Sequence, residues 1–524
     1  MSASSMNPGR PNGRRWPTVV FLACLCASLW AFSVGWNHSI VDRHGFRQAQ
    51  TAISVRYLLQ GSPWLTYETP VLGAPWSVPF EFPLYQWLAA LGSLTLGIPV
   101  DQSGRLVSVL FFYLLLLPLS LLLGQFGVRP GDRLLLLSLI LTSPLYLFWS
   151  RALMIESLAL FLAVTFLACL VRWQGTADVK WAMLGALSGV LAAAVKITTL
   201  YGFLLGAAVL MLVDFLRTWR ARASRSLVPD STSIRHYLQA TVSFLVLPLL
   251  TALLWTRFTD RVRDANPLAR EFLGSRALEG WIWGSPELRG DPGFWHMLLW
   301  GRTAADAAGH HAALLLVAGT IALARKRRTE ALTCLALYLA VPMTFANLHA
   351  VHDYYAYANG IFLLGALGFG TLGLLEGDTS RRRLAFFLLP GFLALGFTGY
   401  SRGYLQVQRR DHRDFMPLAD TIQRLTHPED VVLIYGWDWS PELPYLAQRR
   451  ALMDRAERPL GNPAMRAALI NLRRERRRLG VLAVCSSSRS HTRLVAHAQR
   501  NLGFAEKAVY SDAICDLYPA AGTR

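Results

Sequence analysis

Apolar runs of about the length of a membrane crossing recur along most of this chain, and they leave little choice of fold. The run "GRLVSVLFFYLLLLPLSLLL" (104–123) carries one charge in 20 residues. In lipid its backbone groups find no water, so they must bond within the segment, and a helix is the form that does this. Comparable runs lie near 16–36, 133–150, 152–172, 180–195, 197–216, 237–256, 309–324, 330–347, 356–376 and 384–400. The pattern predicts a polytopic α-helical membrane protein with about eleven spans. A hydrophobic share of 53% over 524 residues agrees.

The net charge of +19 would suit a nucleic-acid binder. Its distribution excludes that class. The basic residues gather in short loops between apolar runs, as "RTWRARASR" (217–225), "RKRR" (325–328) and "RRR" (381–383). A nucleic-acid groove wants a continuous stripe instead. Arg10, Arg14 and Arg15 precede the first run, which lacks a small-residue cleavage site and is expected to stay as an uncleaved span. With the N-terminus cytoplasmic, each basic cluster, together with Arg129, Arg133, Arg172 and Lys180, falls on the cytoplasmic side. Three regions then face outward: a first loop (37–103), a Trp- and Gly-rich loop (257–308) and the tail (401–524). The division is a membrane domain over 1–400 and an outer domain over 401–524.

In the tail, short β-type runs, "DVVLIYG" (430–436), "LGVLAVCS" (479–486) and "AICDLYP" (513–519), alternate with helical patterns at 415–425 and 491–502. That alternation predicts a small α/β domain. Cys24, Cys26, Cys169 and Cys334 lie in apolar spans, whereas Cys485 and Cys515 lie in the tail and are free to form a disulfide if it faces an oxidising compartment. No Cys/His spacing suits zinc, and His349, His352 and Asp353 lack a firm third ligand.

The first loop holds two helical patterns, "RQAQTAISVRYLLQG" (47–61) and "FPLYQWLAALGSLTLG" (82–97). Both are expected to lie along the membrane surface. Between them a Pro- and aromatic-rich segment carries Glu68 and Glu81 as its only charges.

These stretches resemble the bacterial membrane glycosyltransferases of the GT-C class, in the branch of the protein mannosyltransferases and aminoarabinose transferases. "TAISVRYLLQG" followed by "FEFPLYQWLAALGSLTLGIP" is similar to that branch's first outer loop. "SPLYLFWSRALMIESLALFLAV" is similar to its outer turn, where an arginine precedes an acid. "NLHAVHDYYAYANGIFLLG" is similar to its His-Tyr element, and "DVVLIYGWDWSPELPYLAQRRALMD" to its outer tail. The resemblance implies a GT-C-like membrane domain with a periplasmic α/β domain, in the bacterial inner membrane. It implies transfer of a sugar from a polyprenyl-phosphate donor to a lipid, glycan or protein acceptor. No cofactor is implied, and a divalent ion is left open. The branch's acidic pair falls here on Arg47 and Gln48, and its lysine on Glu81, so the charges are exchanged.

Such chemistry needs a carboxylate to take the acceptor proton and donor groups for the departing phosphate. The catalytic candidates are Glu81 and Asp42. The substrate-binding candidates are Arg47, Gln48, Arg56, Glu68, Arg151, Glu156, Lys196, His352, Tyr354, Tyr355, Trp437 and Asp438, with Trp439 beside the last two. Each has a structural alternative. Asp42 would cap the next helix, Glu81 would pair with Arg47, Glu156 would bridge to Arg151, and Lys196 would snorkel to the interface. A non-catalytic carrier of lipid-linked glycans is the alternative function.

Overall fold

The computed structural model of the chain describes residues 15–223, 231–454, 460–485 and 492–521. Arg10, Arg14 and the end of the 217–225 cluster lie outside the described residues. Among the described residues, seven helices are long and apolar enough to cross a membrane, or eight if a bent pair, Pro292–Ala308 with Ala313–Leu323, is one span. The protein is a multi-pass membrane protein with a small C-terminal sheet.

Helix α1 (Trp16–Ser33) leads through a turn to α2 (Gly45–Leu59) and α3 (Leu84–Leu96) of the first loop. Then follow α4 (Val100–Gln125), α5 (Pro130–Thr142), α6 (Pro144–Trp149) and α7 (Glu156–Thr176). The run expected at 133–150 is two helices, because Ser143 turns extended ahead of Pro144. Helix α8 (Val179–Ala223) leaves helical geometry once, at Lys196 (φ −162°, ψ 90°). Helix α9 (Ser231–Thr241) continues through a π-helical turn into α10 (Leu247–Arg263). Short helical turns fill 269–290, and a helix with a π-helical stretch at its centre covers Pro292–Ala308. Then come α11 (Ala313–Leu323), α12 (Arg328–Thr344), α13 (Ala356–Leu375) and α14 (Thr379–Gly403).

In the tail, β1 (Val431–Tyr435), β2 (Arg450–Met453) and β3 (Leu479–Cys485) run parallel, and β5 (Cys515–Pro519) and β4 (Tyr510–Ser511) add antiparallel, in the order β2-β1-β3-β5-β4. The strands β2 and β4 escaped the sequence pattern because they are four and two residues long. Cys485 and Cys515 face each other across β3 and β5 and form a disulfide.

The first loop closes the sheet's β2 edge. Gly73 N–H donates to the Ala451 carbonyl, and Ala451 and Met453 N–H donate back to the Pro70 and Val71 carbonyls. A short helix, Glu442–Ala447, packs on α2, and a Cβ at Gly45 would collide with Glu442 Oε1. Helix α2 is therefore wedged between the membrane helices and the tail, with 11 of its 15 residues buried. The sequence pattern places this helix along the membrane surface with its polar face open; its polar side chains are instead bonded inside the protein. Helix α3 does keep an open apolar face, at Leu91, Leu94 and Leu96.

Candidate active site

Two buried polar groups lie beneath the first loop. The first forms where α2, the 80–83 turn, the start of α7, the break in α8 and the 352–355 turn converge. Glu156 opens α7. Forty residues on, the break in α8 turns Lys196 onto it, and Lys196 Nζ lies 2.5 Å from Glu156 Oε1. The lysine side chain is 9% exposed and the glutamate 1%. Lys196 Nζ also sits over the rings of Tyr355 (4.4 Å) and Tyr354 (5.4 Å). The expectations that Lys196 snorkels and that Glu156 bridges to Arg151 are both corrected. The lysine is enclosed by aromatics and a counter-charge, and the 150–155 turn aims Arg151 elsewhere.

Beside this pair, Arg47 Nη2 lies 3.0 Å from Glu81 Oε2 and its Nη1 donates to Gln50 Oε1. Gln86 Nε2 donates to Glu81 Oε1 at 3.0 Å. Burial works against the Arg47 charge, and Glu81 together with Tyr354, Tyr355 and Glu156 outweighs it, so the guanidinium stands above its usual value. The two pairs are tied by backbone: Phe82 N–H donates to the Ala194 carbonyl, two residues before Lys196. From this same junction opens an apolar cleft of about 390 Å³, lined by Phe82, Leu191, Ala194, Thr251, Leu254 and Trp255 among others.

The 352–355 turn completes the group. His352 stacks on Tyr354 at 5.2 Å, and burial pushes its imidazole down to about 4, so it is neutral at pH 7. Asp353 is met by Arg43 Nη2 at 2.5 Å and by His44 Nε2 at 2.9 Å. Sequence reasoning missed Arg43, His44 and Gln86. Their one signal was position, two beside Asp42 and one beside Pro83, in stretches already read as polar.

The second group is a knot. Gln48 Nε2 donates to Asp42 Oδ1 at 2.5 Å, and Gln48 Oε1 accepts from Leu153 N–H. Arg151 Nη1 is 3.7 Å from Asp42 Oδ2, and Arg151 Nη2 donates to the Gly35 carbonyl. Arg105 donates to the carbonyls of Trp36, His38 and Ser39. Burial pushes the Asp42 carboxyl up, while Arg151, Arg105 and Gln48 pull it down. Burial and Arg105 push Arg151 down to about 10. Gln48, Asp42 and Arg151 thus fasten the first loop to the membrane helices. Asp42 does not cap α2, whose N-cap is His44 with no side-chain bond.

The remaining candidates lie apart from both groups. Glu68 pairs with Arg450 at 2.5 Å, between first loop and tail. Arg56 lies over the Tyr445 ring at 4.6 Å, where Tyr445 donates to Asp101. Trp437 packs on Phe415 within the tail, with Asp438 next to it at φ 49°. Trp439 reaches further and packs against Phe46 and Phe80. The structure places Glu68 and Arg56 at the seam of the first loop with the tail, and Trp437 and Asp438 in the tail, outside both polar groups. Among the described residues, no three His, Cys, Asp or Glu side chains are grouped to hold a metal ion.

No protein family and no curated protein matches the sequence. Solved structures do match the fold. ArnT from Cupriavidus metallidurans, bound to undecaprenyl phosphate, superposes with a TM-score of 0.62 at 13% identity, over 98% of this chain and 99% of that one. The oligosaccharyltransferase AglB from Archaeoglobus fulgidus, in complex with an inhibitory peptide and a dolichol-phosphate, gives 0.55 at 10% identity, over 97% and 74%. The arabinofuranosyltransferase AftD from Mycobacteria gives 0.52 at 17% identity, over 98% of this chain and 40% of that one. The chain has the fold of the GT-C class of membrane glycosyltransferases, and it resembles ArnT along nearly its whole length.

Proposed function

We propose that this protein transfers a sugar from a polyprenyl-phosphate donor to a lipid, glycan or protein acceptor at the periplasmic face of the bacterial inner membrane. One observation carries the reading. Two buried cations, Lys196 and Arg47, are linked through the Phe82–Ala194 backbone bond to an apolar cleft that Phe82 and Ala194 line, with Tyr354 and Tyr355 beside the lysine. A phosphate held there meets the ammonium and guanidinium, while an isoprenoid chain leaves along Phe82, Leu191 and Leu254. When the sugar C1–O bond breaks, negative charge grows on the departing phosphate. Fixed cations in a water-poor site stabilise that charge more than they stabilise the intact donor. The undecaprenyl phosphate of ArnT and the dolichol-phosphate of AglB support this donor class.

The basic inner loops and the Cys485–Cys515 disulfide support an outward-facing tail over 401–524 and a membrane domain over 1–400. Eleven crossings follow if α8 counts twice. Its 42-residue span Val179–Arg220 would run about 63 Å as a straight helix, twice a bilayer core, and the break at Lys196 divides it. The shorter helices α5 with α6, α11 and α12 supply the rest.

The proton acceptor is the open step. Glu81 is held by Arg47 and Gln86, and protonating it would leave a buried guanidinium without its counter-charge. Asp42 is locked in the knot. Glu156 is held by Lys196. These engaged carboxylates favour a second reading, a carrier that binds a lipid-linked glycan without breaking it. Full-length protein in proteoliposomes separates the two. Undecaprenyl phosphate should bind saturably, and it should be released from undecaprenyl-phosphate-linked glucose, galactose, mannose or 4-aminoarabinose in the presence of an envelope lipid extract. Binding without release selects the carrier. Absence of binding sinks both.

A further inference from the structure

Every carboxylate near Lys196 already answers a cation, so a base must come from another residue type. His44 is the group so placed. Its Nε2 lies 2.9 Å from Asp353 Oδ1, and its side chain is 25% exposed while that of Asp353 is 4% exposed. A tautomer with its proton on Nε2, next to Asp353 Oδ1, keeps its lone pair on Nδ1, for which no hydrogen bond is found among the described residues. The ring is 5.1 Å from that of Tyr354, and the Lys196 ammonium lies 5.4 Å from the same tyrosine ring. His44 and the phosphate-holding cation therefore both neighbour one tyrosine ring.

His44 also holds a left-handed backbone conformation (φ 54°, ψ 44°) at the N-cap of α2. Such geometry is uncommon for a residue with a side chain and persists where the surroundings fix it. Here Arg43 and His44 grip the two oxygens of Asp353 from adjacent positions, across more than 300 residues of sequence. The turn is bent to put the imidazole against that carboxylate.

We propose that His44 is the general base of the transfer reaction and Asp353 its positioning residue. This rests on the transferase reading above. The acceptor O–H proton passes to His44 Nδ1 as the acceptor oxygen bonds to C1 of the donor sugar. The C1–O bond to the lipid phosphate breaks, and its electron pair leaves with the phosphate, next to Lys196 and Arg47. The new imidazolium forms beside Asp353, which supplies its counter-charge, whereas protonating Glu81 would strip one from Arg47. The other titratable groups beside the ring are His352 and Tyr354; Arg43, Arg302 and Asp306 act on Asp353, and Lys196 and Arg47 act on His352.

The test uses full-length protein in proteoliposomes with the donor panel named above. His44→Gly suits the positive φ, and His44→Asn keeps a polar side chain there. Both should lower release of undecaprenyl phosphate about 100-fold while leaving undecaprenyl phosphate binding within about twofold. Added imidazole should recover release by His44→Gly roughly tenfold. Adding Asp353→Asn to His44→Gly should cost nothing further, because the two residues act as a unit. Unchanged release by both His44 variants overturns the assignment. So does a loss that imidazole does not recover, whether or not binding survives. A wild type that binds undecaprenyl phosphate and releases none from any donor overturns the transferase reading, and the base with it.

Discussion

Lys196 Nζ and Glu156 Oε1 lie 2.5 Å apart, joined across 40 residues by the break in α8. The lysine is closed in by Tyr354 and Tyr355, so neither charge has water as an alternative partner. A buried pair of this kind stabilises little in total, yet breaking it is expensive.

Removing one partner tests this. Glu156→Gln should cost about 3 kcal/mol, because it leaves the ammonium buried without a counter-charge. Lys196→Met combined with Glu156→Leu should recover most of that loss and still abolish undecaprenyl phosphate binding. Thermal unfolding in detergent, followed by intrinsic fluorescence, gives the first quantity. Additive losses in the double variant would mean the two side chains do not depend on each other.

Arg47 and Glu81 offer an exchange. Arg47→Glu and Glu81→Lys should each destabilise the protein, and the double variant should regain about 1–3 kcal/mol relative to their sum. Independent losses in this double-mutant cycle would reject the pairing.

The cleft makes a prediction about chain length. Leu254→Trp and Ala194→Phe narrow it without touching the cations. Undecaprenyl phosphate should bind roughly tenfold more weakly, since each buried CH2 is worth about 0.8 kcal/mol. Isopentenyl phosphate, which has almost no tail, should be unaffected. Equal weakening of both ligands would remove the cleft from the binding site.

Acid should destabilise the protein through His352. Burial lowers its folded value to about 4, while the unfolded chain protonates near 6.5. The unfolded state therefore binds the extra proton between those values, and stability falls as pH drops from about 6.5 toward 4. The loss is at most roughly 3 kcal/mol. His352→Gln should flatten the fall in melting temperature between pH 7 and 4.5. An unchanged slope in that variant would assign the acid sensitivity to other groups.

The membrane helices and the α/β tail were legible because their signals are local. A run such as 104–123 has one stable form in lipid, and the strands at 431–435 and 479–485 carry continuous buried apolar residues. The tail helices at Met416–Leu425 and Thr492–Leu502 follow from periodicity in the same way. Local signals fail where polarity is satisfied from far away. Helix α2 reads as a surface helix, yet Gln48 reaches Asp42 and the Leu153 amide, and Ser54 reaches Thr69. Glu68 reads as a site residue, yet its partner is Arg450, far along the chain.

The sequence alone determined that this chain crosses a membrane many times and that an α/β domain follows the last span, because hydrophobicity and strand periodicity act on contiguous residues. It also determined which acids and cations were available near the first loop. Only the tertiary structure decided how they are shared. Lys196 took Glu156 rather than the interface, Arg47 took Glu81, Asp42 joined Arg151, and His44 met Asp353. In a low-dielectric interior each charge must find a counter-charge, and which one it finds depends on how the helices and loops converge in space.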